Sequence, residues 1–434
     1  MARPRDHRLG SGQAGSREDS PGLGRRGVVR PAALGGPALS DPRLPKPTAA
    51  SAAPPARGAS RATHPARGQG PERLVALVAF VLVLACWYCV LLAIGGGSDP
   101  AGRAAEKRAA EAMEGAIAAI RVEAESRGIA LDPGADPNRT GLVGLSWTGL
   151  TTTLGSLPAK RTGAQPDAAA LLARLLLEAG VGPGDRVAVD SSGSFPGFAV
   201  AALVAVRSLG AVPVAVISVG SSTWGANRPE FALPDMLAAL ESRGILPRGA
   251  AAVSAGGGDD SGGGMDAEAL GGVLDRSRGR GAALIAEPSL AQDVAARLRV
   301  FEAEGPIVAL VSIGGNYSQA GAGEALTGRS GLLRSGDFPP GGPKGEGLIQ
   351  ACLRAGLPVI RILDVKDLSA RTGLAYDPVP WPAPGSSALW RGRSPSRLLV
   401  AAGPVAAIAV SAVVLLAAKR RVLRARGDPG RLPR

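Results

Sequence analysis

A Ser and Gly turn between an apolar segment and a helical pattern is the first place in this chain where chemistry is expected. Residues 186–190 (RVAVD) are short and apolar, as a buried parallel strand is. The turn that follows contains Ser192, Gly193 and Ser194. Pro196 then opens a helix, and Ser194 is its predicted N-cap. The backbone N–H groups of this turn would face a carboxylate or a phosphate. The alternative is a turn that only caps the helix.

Two further segments carry side chains suited to a carboxylate or amide ligand. Lys160 and Arg161 are adjacent cations in a hydroxyl-rich segment, where they would either grip a carboxylate or form a solvated surface pair. Trp224 would either stack on a ligand or close its own loop, which also contains Asn227. The loops after the other predicted strands are also rich in Gly, Ser and Asn. The sequence therefore predicts a surface of N–H and hydroxyl donors at the carboxyl edge of a sheet.

Histidine chemistry is excluded from most of the chain. The two histidines are His7 and His64, both close to the amino terminus. The folded region therefore has no histidine base, no Ser-His-Asp triad and no histidine-ligated metal. Catalysis without histidine leaves Ser194 paired with Lys160, as in a Ser–Lys hydrolase, as the open enzymatic alternative.

Metal and disulfide chemistry have little support. Asp190, Asp259 and Asp260 could offer oxygen ligands to a hard cation, but they do not form an EF-hand pattern. Three cysteines cannot build a disulfide scaffold. The sequence therefore predicts neither a metal site nor a cofactor.

The elements that must position these residues alternate between strands and helices. The predicted strands cover residues 186–190, 214–219, 250–253, 282–286, 307–313 and 357–363, and the helices after the first strand cover 196–209, 233–242, 266–278, 289–303, 345–355 and 366–371. This alternation predicts an α/β domain over 140–390 with a Rossmann-like parallel sheet. An amphipathic helix or stalk is predicted at 100–130.

Two uncharged apolar segments lie on either side of this domain in the sequence. Residues 74–95 and 398–418 are each long enough to cross a bilayer. Residues 1–73 have the composition of a disordered basic tail, and 419–434 form a second basic tail. Because basic flanks stay in the cytoplasm, both termini are predicted to be cytoplasmic and the α/β domain extracytoplasmic.

The net charge of +13 has an uneven distribution. The two basic tails account for the whole excess, and the segment between them is close to neutral. A nucleic-acid partner for the folded domain is therefore not predicted, whereas a membrane is.

Several segments, taken in order, resemble the poly-γ-glutamate system protein family, which is membrane-anchored and encoded beside the genes for poly-γ-glutamate synthesis and export. The segments are TTTLGSLPAKRT, SGSFP, SVGSSTWGANRPEF, GGGDD, VSIGG and DPVPWPAPG. The resemblance covers residues 140–385 and departs at Arg361, where the family has a histidine. It implies a pathway and a location, but no reaction and no catalytic residues.

The sequence as a whole favours an accessory protein that handles the polymer or the subunits that make and export it. Two other classes of function remain open. One is an extracytoplasmic amidase, peptidase or transferase acting on γ-glutamyl chains, and the other is a purely structural membrane subunit.

Overall fold

The computed structural model describes residues 71–95, 100–321, 329–337, 345–391 and 397–426. Most of the predicted basic tails, with both histidines, lie outside the described residues. Within the described ranges the α-helices are α1 (Pro71–Gly95), α2 (Pro100–Ser126), α3 (Leu157–Gly163), α4 (Pro166–Ala179), α5 (Pro196–Ser208), α6 (Leu233–Ser242), α7 (Ala267–Gly279), α8 (Leu290–Glu302), α9 (Tyr317–Ala320), α10 (Leu348–Arg354), α11 (Val365–Thr372) and α12 (Arg397–Arg426). The strands are β1 (Thr151–Thr153), β2 (Arg186–Ser192), β3 (Val212–Ser218), β4 (Ser221–Ser222), β5 (Ala250–Ser254), β6 (Ala283–Ile285), β7 (Ala309–Ile313), β8 (Gly331–Leu333) and β9 (Val359–Ile362).

The described strands form one large and mostly parallel sheet. Its order is β6-β5-β3-β2-β7-β9-β8, and only β8 runs antiparallel, against β9. The predicted α/β fold with a parallel sheet is therefore confirmed. Strands β1 and β4 form a separate parallel pair above the carboxyl edge of the central strands. Sequence periodicity did not predict this pair, because neither strand is long enough to show a pattern.

Side chains on the central strands alternate between two hydrophobic cores, so the sheet is covered on both faces. Val187 and Val189 belong to the core under α2, α4, α5 and α6, and Ala188 belongs to the core under α8 and α10. The same alternation places Ile217 in the first core and Val216 in the second. Successive strand side chains point to opposite faces, and burial on both faces explains the continuous apolar strands.

Helix α2 is an outer layer of the α/β domain. Its apolar face, which includes Met113 and Ile120, is buried against α4 and α5. Glu106 on the same face is 2% exposed and forms a two-point ion pair with Arg174 of α4, at 3.0 and 2.7 Å. The amphipathic pattern therefore belongs to a helix that packs on the domain. The alternative that the sequence allowed, a free stalk, is not what the structure shows.

Helices α1 and α12 are long and apolar enough to cross a membrane. Only 6% and 11% of their apolar windows are buried, which distinguishes them from the core helices of the α/β domain. They pack on each other in antiparallel fashion: Gly403 lies against the ring of Trp87, and the Ser411 hydroxyl donates to the carbonyl of Ala76 at 3.4 Å. Small residues at the contact let the two backbones approach, as in membrane helix pairs.

Candidate functional site

A cleft of about 360 Å³ lies at the carboxyl edge of the sheet, where the central strands end. Its lining consists mainly of glycine, hydroxyl and apolar side chains. The lining residues are Thr152, Thr153, Leu154, Gly155, Lys160, Ser192, Ser194, Phe195, Gly220, Ser222, Gly257, Gly258, Gly263, Gly314, Gly315, Asn316, Tyr317 and Leu363. Among these described residues, Lys160 is the single ionisable group with a charge near pH 7.

The Lys160 side chain is buried at this cleft and contacts two neighbours. Its Nζ donates to the Ser222 hydroxyl at 2.6 Å, and it lies 3.7 Å from the centre of the Phe195 ring. Lys160 is 3% exposed, and no carboxylate pairs with it in the part of the chain that the structure describes. Burial lowers the pKa of Lys160 to about 7. Neutral amine and ammonium forms are therefore both present near neutral pH.

Lys160 reaches the cleft because α3 packs closely on α5. The Ser156 hydroxyl caps α3 by accepting from the N–H of Ala159. A Cβ at Gly197 of α5 would stand 2.5 Å from the carbonyl carbon of Gly163, so the two backbones touch. The sequence pattern treated 151–162 as a segment before the first helix, because α3 is too short to show a helical period.

Ser222 is the candidate site residue that the sequence pattern missed. It lies on β4, opposite Thr153 of β1, and its N–H donates to the Ser194 hydroxyl at 3.1 Å. A Cβ at Gly155 would stand 2.6 Å from the Ser222 Oγ, so only glycine fits there. The sequence contained one indication of a site residue here, because Ser222 lies in a serine-rich loop that follows a predicted strand. The structure thus joins Lys160 to Ser222, where the sequence suggested Ser194.

The predicted N–H cradle differs from what the structure shows. The N–H of Gly193 donates to the carbonyls of Ser218 and Gly220, and the N–H of Ser194 is directed to the Ser192 hydroxyl at 3.4 Å. Ser194 is also not the N-cap of α5, because that position belongs to Phe195. The N–H groups of Gly193 and Ser194 thus point to oxygen atoms of the protein itself and do not form a cradle for a ligand. Ser192 and Ser194 still line the cleft with their hydroxyl groups.

Three other predicted site residues do not line the cleft. Arg161 forms a two-point ion pair with Asp377, at 2.5 and 2.8 Å. Asn227 is fully buried and holds the backbone of Leu145 through both of its amide atoms. Trp224 adopts a left-handed backbone conformation, and its backbone also bonds to Leu145. Asn227 and Trp224 thus fix the segment that leads into β1 and support the cleft from outside.

Beneath the glycine-rich loop 256–264 lies a buried charge cluster. Arg297 of α8 is 0% exposed and contacts Asp190, Asp260 and Asp293 at 2.7, 2.8 and 3.1 Å. Asp260 also accepts from the N–H of Gly256 at 2.9 Å, so the cluster anchors the loop that forms one wall of the cleft. The guanidinium of Arg297 occupies the centre between the carboxylates. Asp190 and Asp260 are therefore occupied by Arg297 and not available to a hard cation, which agrees with the absence of a predicted metal site.

The excess of carboxylates in this cluster predicts a pH dependence of stability. Burial, together with the neighbouring carboxylates of Asp293 and Asp190, raises the pKa of Asp260 from 3.8 to about 6 despite Arg297. The folded state thus holds the proton more tightly than the unfolded state. The resulting stabilisation is complete below the unfolded pKa and is lost as the pH rises through about 6. Lowering the pH from 7.5 to 5 should raise the melting temperature of the wild type by roughly 2–5 °C relative to Asp260→Asn.

Asp259→Asn is the matched control, because Asp259 is the exposed neighbour and shares the left-handed backbone conformation. Its melting temperature should follow the wild-type pH profile. A parallel profile for Asp260→Asn and the wild type would show that the Asp260 carboxyl group does not bind a proton in this range.

Arg361 lies on β9 in register with Ser312 of β7, and it is 1% exposed. Burial lowers its pKa to about 10, so the guanidinium stays protonated near neutral pH. It is absent from the described lining of the cleft.

Comparisons with protein-family models, with curated proteins and with solved structures found no match for this chain.

Proposed function

We propose that this chain is a membrane-anchored accessory protein of poly-γ-glutamate synthesis or export, whose Rossmann-like domain binds the polymer in the cleft. The observation that carries the proposal is Lys160: a buried amine that faces a ligand-sized cleft without a carboxylate partner among the described residues. A bound carboxylate would supply that partner and favour the ammonium form. The family resemblance over residues 140–385 is the reason for choosing poly-γ-glutamate as the ligand, and this polymer carries one free carboxylate per residue.

The proposed location is a two-pass arrangement in the plasma membrane. The antiparallel contacts between α1 and α12 bring Arg73 and the Lys419–Arg420 pair toward the same side. Basic flanks favour the cytoplasmic side, so the α/β domain would face outward, where a secreted polymer passes. Subunits of the synthesis and export machinery are the proposed protein partners.

The test is calorimetric titration of the full chain in detergent micelles with γ-linked glutamate oligomers, and with α-linked oligomers for comparison. The γ-linked chain should bind more tightly, and binding should be stronger at pH 6 than at pH 8.5, because Lys160 loses its charge around pH 7. Lys160→Met should weaken binding about 10- to 100-fold, which corresponds to the loss of a hydrogen bond to a charged group of about 1.5–3 kcal/mol.

Lys366→Met is the control, since Lys366 is an exposed lysine outside the lining of the cleft. It should bind like the wild type. Equal binding of α- and γ-linked chains that disappears in moderate salt would indicate only non-specific charge attraction and would contradict the proposal.

A further inference from the structure

The cleft holds a pair of groups that binding alone does not require. The Ser222 hydroxyl and the Lys160 amine are 2.6 Å apart, come from positions 62 residues apart in the sequence, and both line the cleft. A lysine that only binds an anion would have no need of a hydroxyl held against it by a neighbouring strand. We infer that Ser222 and Lys160 are the nucleophile and general base of an acyl-transfer reaction on an amide or ester. This inference places a reaction in the cleft of the proposed function and rests on that cleft being a ligand site.

The position of Ser222 is fixed from three sides. Strand pairing with β1 sets its backbone, the Ser194 hydroxyl accepts from its N–H, and Gly155 leaves room for its Oγ. Lys160 is fixed from below by the Phe195 ring. A nucleophile and base held within hydrogen-bond distance are the arrangement that activates a serine when histidine is absent.

The protonation of Lys160 suits a base. Contact with the Phe195 ring favours the ammonium form, but burial opposes it and lowers the pKa of Lys160 to about 7. At and above neutral pH a large share of the molecules therefore carries an unprotonated amine. Such an amine can accept a proton from Ser222, which the ordinary exposed lysine cannot do at this pH.

The reaction balances with groups on this chain and water. Ser222 Oγ attacks the carbonyl carbon and forms a C–O bond, while its proton moves to Lys160 Nζ. The C–N bond of an amide then breaks, and the Lys160 ammonium returns the proton to the leaving nitrogen. Water, or an amine acceptor, next attacks the acyl-serine and gives its proton to Lys160. The C–O bond to Ser222 breaks, and the proton from Lys160 returns to Ser222 Oγ.

Ser194 is the side chain that would position the reacting carbonyl. Its oxygen accepts from the N–H of Ser222, which leaves its own proton for a group in the cleft. A hydroxyl donor beside the nucleophile can stabilise the oxyanion that forms during attack. This role differs from that of a nucleophile, which the sequence had suggested for Ser194.

The experiment is labelling of the full chain in detergent micelles with a fluorophosphonate probe, which reacts with activated serines. Intact mass should show one adduct, and peptide mapping should place it on Ser222. The labelling rate should rise with pH to a plateau above pH 8, with a midpoint near 7. Ser222→Ala should abolish labelling, and Lys160→Met should slow it about 100- to 10,000-fold, as expected for the loss of a general base.

The controls separate catalysis from folding. Ser126→Ala, at an exposed serine outside the cleft, should label like the wild type. Lys160→Arg keeps the charge but cannot act as a base near pH 7, so it should label as slowly as Lys160→Met. The wild-type pH profile needs no variant, so it remains informative if Lys160→Met fails to fold.

Folded wild-type protein that does not label at pH 8.5, labels at another serine, or labels at a rate independent of pH would overturn the inference. The probe contains no glutamate, so the outcome is independent of the polymer. Labelling without γ-glutamate binding would contradict the proposed function alone, and binding without labelling would contradict the acyl-transfer site alone.

Discussion

Replacement of Arg297 by methionine is expected to lower the free energy of unfolding of the α/β domain by about 3–5 kcal/mol. The substitution leaves Asp190, Asp260 and Asp293 buried without the guanidinium that they now contact at 2.7, 2.8 and 3.1 Å. Methionine retains most of the volume, so the cost is electrostatic. Part of it would be recovered by protonation of the carboxyl groups, and the variant should therefore be least stable at high pH.

The measurement is denaturant unfolding of the full chain in detergent micelles, followed by intrinsic tryptophan fluorescence. Arg299→Met is the control on the same helix: its side chain is 69% exposed and pairs loosely with Glu287 at 3.6 Å. A change within about 0.5 kcal/mol is expected for it. A loss below 1 kcal/mol in Arg297→Met would mean that the three carboxyl groups are already protonated in the wild type and that Arg297 is not their counter-charge.

The large elements of this fold were predictable because each shows a pattern over several residues. Continuous apolar segments predicted strands buried on both faces, and the helix that the sequence placed at 233–242 matches α6 at both ends. Ser289 caps α8 as expected, by accepting from the N–H of Gln292. Such signals depend on neighbours in the sequence, so a single chain reveals them.

The contacts that define the cleft depend instead on tertiary structure. Arg297 lies on the buried apolar face of its helix and Arg299 does not, but no local pattern predicts the distant carboxylates that meet the buried guanidinium. Lys160 and Arg161 are adjacent, yet one lines the cleft and the other pairs with Asp377. Consecutive helical residues point in directions about 100° apart, so adjacent cations in α3 cannot share a ligand.

A single methyl group at Gly197 should separate the proposed nucleophile from its base. In the structure a Cβ there would stand 2.5, 2.6 and 2.7 Å from three backbone atoms of Gly163 and Ala164. These atoms belong to the end of α3, so they cannot rotate away as a side chain would. Gly197→Ala is therefore expected to push α3 away from α5 and to carry Lys160 away from the Ser222 hydroxyl. A displacement of about 1 Å would slow fluorophosphonate labelling about 100-fold.

The matched control is Gly271→Ala in α7, where a Cβ would meet no atom within 4 Å. This change removes a flexible residue from a helix and should stabilise the protein by roughly 0.5–1 kcal/mol without altering the labelling rate. Gly197→Ala should instead destabilise it by about 1–3 kcal/mol, the usual cost of an overpacked contact. Because the two variants make the same chemical change in a helix, their difference isolates the contact between α3 and α5. Unchanged labelling in a folded Gly197→Ala protein would show that Lys160 does not depend on this contact for its position beside Ser222.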